Sequence, residues 1–281
     1  MTGTSASVGA IWVAKDWFIY ASDATYYDNL QNNSPSISIG PNGPWSVLSS
    51  GQEMRGRIFA HPGHRKNSGR GEGVISIWPL PTTPLALLIR DVARSAGGGT
   101  QVLDEMVSEP GFASLISSFS HLKSGEWHGD MAHTIDLISQ DLTGVGSHRS
   151  CPDERARLLA KRLRQRDLQP LPLLEHAKAI GLSAERLRHL FAEAYGLRVT
   201  QYIAWLKLHA AIRFMAMSKD IPTVANVAAA SGFADAAHLS NMARRMFATS
   251  PSETQASSFQ FVLVKEPNEA ATDASNDLQL A

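Results

Sequence analysis

The sequence predicts an α+β protein in two parts, a β-rich amino-terminal half followed by an all-helical, basic carboxy-terminal half, and three observations carry that reading. Apolar residues fall in short strand-like runs as far as Pro84 and at helical spacing after it. The charges are segregated: residues 1–150 hold 10 basic and 13 acidic side chains, residues 151–265 hold 16 and 9, and residues 266–281 hold none and 4. The formal net charge of zero is therefore a sum of opposites, and a basic segment flanked by acidic ones is the footprint of a nucleic-acid-binding domain, although a solvated basic face gives the same number. Thirdly, one helix, tight turn and helix pattern occurs twice in that basic segment, about 51 residues apart. At 281 residues the chain is long enough for two cores.

The strand-like runs are Ile11 to Tyr20, Ser36 to Ile39, Trp45 to Leu48, Arg57 to Ala60 and Val74 to Trp78. Turn signals at Gly40 to Pro44, Pro62-Gly63 and Gly69 to Gly73 separate them, a spacing that suits a sandwich or barrel. After Pro84 come helical segments at Leu85 to Val92, Val102 to Phe119 and Met131 to Leu142, the first two parted by Gly97-Gly98-Gly99. The apolar faces of the first two, at 85–92 and 102–119, lack an obvious partner within a small barrel, so they are expected to pair across a two-fold axis in a homodimer. A Gly-, Ser- and His-containing stretch from Gly144 to Pro152 reads as a linker. Asp153 to Arg166 reads as a basic amphipathic helix with Leu158, Leu159 and Leu163 on one side, and Pro170 and Pro172 mark a new start.

In the first copy, Leu173, Ala177 and Ile180 share a face, Gly181 supplies a left-handed turn and Ser183 caps a second helix. Leu187, Leu190, Phe191 and Ala194 form its inner stripe, which turns Glu185, Arg188, His189 and Ala192 outward. In the second copy Val224, Val227 and Ala228 face inward, Gly232 turns, Asp235 caps, and Leu239, Met242 and Met246 form the stripe. Ala237, Ser240, Asn241 and Arg244 then face outward. The second helix of such a unit fits the major groove, where Arg pairs with guanine and Asn with adenine. Ser240 and Asn241 can read or position, Arg244 can hold a phosphate, and Ala237 offers only a methyl contact. Thr200 to Met217 reads as a single connecting helix with Trp205, Leu208, Ile212 and Met215 along one side.

These residues resemble the AraC-type (AraC/XylS) transcriptional regulators from Leu171 to Gln260. The resemblance rests on Gly181-Leu182-Ser183, Leu187, Leu190-Phe191, Tyr195-Gly196, Tyr202, Lys207-Leu208 and Ala211, then Val227-Ala228, Ser231-Gly232-Phe233, His238-Leu239, Met246-Phe247 and Ser250-Pro251. It implies two helix-turn-helix units on one linking helix, with DNA contacts from Glu185, Arg186, Arg188 and His189 in the first and from Ala237, His238, Ser240 and Asn241 in the second. Four positions depart from the family pattern: Ala243 where an aromatic is usual, Ala248 for glycine, Lys207 for arginine, and Gln255 near a basic residue. The small Ala243 and the alanines at 236 and 237 predict a second unit that packs less tightly and reads fewer bases.

The same resemblance implies a cupin-like β barrel at the amino terminus that binds a small effector, followed by dimerisation helices. The expected organisation is residues 1–145 as sensor and dimerisation region, 146–170 as linker with a basic helix, 171–260 as DNA-binding domain and 261–281 as tail. Trp12, Trp17, Trp45, His64 and Trp78 are the candidate effector-binding residues, although buried tryptophans more often serve packing. A rival reading is a cupin-like metalloenzyme or small-molecule-binding protein with His61, His64 and Glu72 as metal ligands. Its spacing is poor, because the histidines flank a Pro-Gly turn and the carboxylate lies in a Gly-rich loop, so neither metal nor cofactor is expected. No nucleophile elbow, phosphate-cradling loop or paired cysteine points to an enzyme, and the lone Cys151 requires no oxidising compartment. The expected partners are double-stranded DNA, a small effector and, if the regulator is an activator, RNA polymerase. With no signal peptide and no long apolar stretch, the expected location is cytoplasmic, with no membrane contact.

Overall fold

A computed structural model gives the fold and describes residues 8–23, 25–63, 65–95, 97–127, 129–145, 151–165, 173–256 and 258–264. The chain opens with β1 (Val8–Val13) and β2 (Trp17–Ser22), a hairpin closed by the Ala14 amide donating to the Trp17 carbonyl at 2.9 Å. The run Ile11 to Tyr20, expected as one strand, is therefore two, broken at the exposed Lys15. Its continuous apolar text has a physical cause in burial on both faces. Ala10, Trp12, Trp17 and Ile19 face one core while Ile11, Val13 and Phe18 face another.

Seven further strands follow: β3 (Thr25–Asn32), β4 (Ser36–Ile39), β5 (Trp45–Ser49), β6 (Gln52–Gly56), β7 (Ile58–His61), β8 (Arg65–Gly71) and β9 (Val74–Pro79). After α1 (Pro84–Ser95) come β10 (Gln101–Val102), a 3-10 turn at Asp104–Ser108, α2 (Pro110–Ser117), α3 (Phe119–Ser124) and α4 (Met131–Thr143). The single helix expected over 102–119 is split because Pro110 lacks the amide needed to continue a helix and instead starts one. Leu85, Ile89 and Val92 of α1, Phe112 and Leu115 of α2, and Ile135, Ile138 and Leu142 of α4 pack on the sheet in one core. This corrects the expectation that these faces pair with a second copy, since they are already buried within the chain.

The helical half comprises α5 (Glu154–Gln165), α6 (Leu173–Lys178), α7 (Ala184–Tyr195), α8 (Val199–Met217), α9 (Val224–Ala230), α10 (Ala236–Phe247) and α11 (Pro251–Ala256). α5 packs against α7 through Ala156, Leu159 and Ala160, whereas Leu158, expected on the buried side, is 38% exposed. No described helix is long and apolar enough to cross a membrane.

A final strand, β11 (Ser258–Leu263), follows the helices and pairs in parallel with β1, from Val8 opposite Ser258 to Val13 opposite Leu263. It completes a seven-stranded sheet of order β10-β7-β4-β9-β2-β1-β11, beside a four-stranded sheet of order β3-β8-β5-β6. Residues 261–263 are thus sheet, not tail. Alternation explains the insertion: Phe259, Phe261 and Leu263 join the core shared with the helices, and Val262 the opposite one. Gly9 makes room for it, because a Cβ there would stand 2.5 Å from the Phe259 ring.

The two halves also meet directly. Ile11, Val13, Phe18 and Trp78 share one core with Trp205, Leu208, Leu239 and Met246, and α10 lies against β3. The His209 Nε2–H of α8 donates to the Ala14 carbonyl at 2.9 Å, Thr82 Oγ1 donates to the Tyr202 hydroxyl at 2.9 Å, and Arg164 of α5 pairs with Asp16. The boundary expected between independent cores is crossed by one of them.

Candidate nucleic-acid interface

Each helix-turn-helix is built from local chemistry. In the first, Gly181 takes φ +68° at the turn, and Ser183 Oγ accepts the Arg186 amide at 3.1 Å to cap α7. Leu187, Leu190, Phe191 and Tyr195 are buried, so Glu185, Arg186, Arg188 and His189 stand exposed on the opposite side. In the second, Gly232 takes φ +73°, and the Asp235 carboxylate accepts the His238 amide at 2.7 Å. Leu239, Ala243 and Met246 are buried beneath α10; Ala237, His238, Asn241 and Arg244 are exposed and Ser240 half-buried. Between them α8 runs as one helix of 19 residues, about 28 Å long at 1.5 Å per residue.

The two faces are not equivalent. Arg186 and Arg188 project from α7, whereas Arg244 reaches back to Glu253 at 3.3 Å. Hydrogen bonds from Ser250, and then Arg244, hold the Glu253 carboxyl below its ordinary value, so this pair is formed at neutral pH. His238 sets its ring edge-on to Phe233 at 5.2 Å. Arg245, exposed one residue further along α10, is a cation that the outward face assigned from the apolar stripe did not include. Lys207 donates its Nζ to the Gly232 carbonyl and lies 5.8 Å from the Phe233 ring, so the residue standing in for an arginine tethers the second turn to α8. Ala243 is also accounted for: it is 6% exposed in the core that includes Leu30 of β3, where α10 approaches the strand. Its small side chain is buried in the core that α10 shares with the sheet.

The proposed effector residues do not converge. Trp12 and Trp17 lie in the core beneath α1 to α4, Trp78 in the core shared with α8 and α10, and Trp45 between the sheets; each is at most 6% exposed. Trp45 borders a hollow of about 800 Å³ over the four-stranded sheet. His64 lies outside the described residues. His61 is buried with its ring nitrogens 2.7 Å from the Ser38 hydroxyl and 3.2 Å from that of Thr100, which leaves neither free for a metal. Among the described residues no three His, Cys, Asp or Glu gather as a metal site would need.

A second cleft, of about 1390 Å³, lies elsewhere, where the β1–β2 turn and α1 face α5 and α8. Leu87, Leu88, Leu206 and Phe214 give it apolar walls, and Lys15, Arg157, Lys161 and Arg213 give it positive charge. Sequence reading missed it because its walls come from segments far apart in the chain.

A family model described as a helix-turn-helix domain matches residues 176–257. Those residues are a helix-turn-helix domain of the AraC/XylS type. The matched region runs from the end of α6 through α11 and includes both capped helices. Over the whole chain, the crystal structure of ToxT from Vibrio cholerae O395 is similar with a TM-score of 0.54 at 13% identity, covering 84% of this chain and 95% of that one. The same protein bound to (E)-4-(8-methylnaphthalen-1-yl)but-3-enoic acid gives 0.53 at 12%, covering 85% and 97%. Wild-type ToxT from strain SCE256 with a bound unsaturated fatty acid gives 0.51 at 11%, covering 85% and 94%. The likeness is one of fold: a β-rich domain followed by the AraC-type helices. No curated protein matches the chain.

Proposed function

We propose that the protein is a sequence-specific DNA-binding transcriptional regulator whose α7 and α10 enter successive major grooves, and whose affinity for DNA is set by a small apolar acid held in the cleft between its halves. The observation that carries the first part is the duplicated unit itself: two capped helices with polar outer faces, joined by a rigid connector of about 28 Å, near the ~34 Å repeat of major grooves on one face of a duplex. Arg188 is the strongest guanine reader and Asn241 the strongest adenine reader, with Arg186, His189, Glu185, Ala237, His238 and Ser240 as flanking contacts. Arg244 needs release from Glu253 before it can reach a phosphate.

The apolar walls and surplus cations of the cleft suit an elongated carboxylic acid, and the two ToxT ligands are of that chemistry. This site replaces the tryptophan-lined barrel interior as the proposed effector pocket. The protein is proposed to act by binding, without catalysis.

The test is titration of duplexes selected by the full-length protein from a random pool. Binding should weaken steeply with salt, with log K falling by roughly 0.9 per decade of salt for each phosphate neutralised. Selection of no duplex by the folded protein refutes the regulator reading. A DNA affinity unchanged by saturating oleic acid, with no binding of the acid by calorimetry, refutes the effector reading alone.

A further inference from the structure

We infer that Arg90, a residue of the amino-terminal domain, is a positioning residue for DNA recognition: it clamps the carboxy-terminal end of the first recognition helix and ties the placement of Arg186 and Arg188 to the wall of the cleft. The inference rests on the regulator reading above. It concerns one contact across the junction of the two halves.

Arg90 projects from α1 and is only 3% exposed. Its Nη1 donates to the Ala194 carbonyl at 2.8 Å, across 104 residues of sequence. That carbonyl belongs to the last turn of α7, where the helix ends on Gly196 in a left-handed conformation and the final carbonyls lack partners within the helix. A cation at this point also meets the negative end of the helix dipole. The clamp therefore satisfies both the hydrogen-bonding need and the field of α7.

Stability alone is a poor account of the arrangement. The Arg90 Nε is buried with no hydrogen-bond partner, and the adjacent Asp91 carboxylate is 3.7 Å from it, beyond good hydrogen-bond length. Even with Asp91 as its ion-pair partner, a buried guanidinium costs desolvation that an apolar side chain of similar length would not. What the arginine supplies and an apolar residue cannot is a directional bond between α1 and α7. The geometry also gives it an input. Leu87, Leu88 and Asp91 flank Arg90 on α1, Tyr195 follows Ala194 on α7, and all four line the cleft. An occupant of the cleft thus touches the residues on both sides of the clamp.

The experiment compares the full-length protein with Arg90→Met, which keeps length and removes the bond, and Arg90→Lys, which keeps a charged donor group. Each is titrated with a selected duplex and with two scrambled versions, one altered in the half-site whose preference Arg188→Ala relaxes and one in the other half. Arg90→Met should weaken binding to the intact duplex about tenfold, with Arg90→Lys recovering most of it. The loss should vanish when the α7 half-site is scrambled and persist when the α10 half-site is. An equal loss on both scrambled duplexes shows a general structural role and overturns the inference, as does unchanged binding by a folded variant. Should Arg90→Met not fold, the same comparison with Arg90→Lys decides, since a perturbed clamp must still lose affinity on one half-site only. Failure of the unsubstituted protein to select any duplex is a separate outcome and overturns the regulator reading on which the inference stands.

Discussion

Phe18, on the second strand of the amino-terminal sheet, meets Phe247, the last residue of the second recognition helix, edge-to-face with ring centroids 5.4 Å apart and planes at 89°. Trp78 and Trp205 complete the group, stacking on or tilting against Phe18 at 5.9 and 6.1 Å. Four rings from the two halves form one aromatic cluster, so part of the core under the second helix-turn-helix is supplied by the sheet.

Trp205, fully buried at the centre of that cluster, is where truncation should be most costly. Trp205→Ala is expected to destabilise the protein by about 3–5 kcal/mol, measured by urea unfolding. Residues 151–264 alone, deprived of Phe18 and Trp78, should melt below the full-length protein and bind a hydrophobic dye. An equally stable fragment would show that the shared core contributes little.

Restoring the family's aromatic at position 243 should harm this protein. Ala243→Phe forces a ring into the space where α10 approaches β3, and overpacking of that kind costs about 1–3 kcal/mol. Thermal melts of the full-length variant check the sign. A more stable Ala243→Phe protein would contradict the close approach.

Arg188→Ala should weaken binding to a selected duplex by about 1–3 kcal/mol and relax preference at one base position. Asn241→Ala should cost less, because its neighbours on α10 are an alanine, a histidine turned onto Phe233 and an arginine held by Glu253. Titration of both variants at fixed salt settles the order.

Two buried histidines give a pH dependence. Burial pushes His61 and His209 down to about 4, with the Arg213 charge adding to the effect at His209. Between an unfolded value near 6.5 and the folded value near 4, the unfolded chain binds the extra protons, so stability falls as the pH is lowered through that window. The slope reaches up to about 1.4 kcal/mol per pH unit for each histidine. His209→Gln should flatten it in urea titrations at successive pH values.

The parts of the fold that were legible in the sequence are those fixed locally. Ser183 and Asp235 cap the helices they were assigned to, Gly181 and Gly232 turn with positive φ, and Leu187, Leu190, Phe191, Leu239 and Met246 are buried. Elements defined by distant partners were not. β6 is a largely exposed edge strand with no apolar alternation to reveal it. Gly69 and Gly71 read as a turn, but they lie in β8 beneath Trp45, whose side-chain atoms would stand 2.7 Å from a Cβ at either position. The outward arginine at 244 was visible; its carboxylate partner at 253 was not, because a helix face assigned from periodicity says nothing of the turn that follows.

The pairing of β11 with β1 also sets an order of events during synthesis. β1 leaves the ribosome some 245 residues before the strand that will cover it, so its edge stays open while every helix of the DNA-reading half is made. An open strand edge is the feature through which nascent chains cross-pair, and here it closes only with a strand made after all the described helices. The strand that joins the halves is consequently the last of the paired elements to be synthesised.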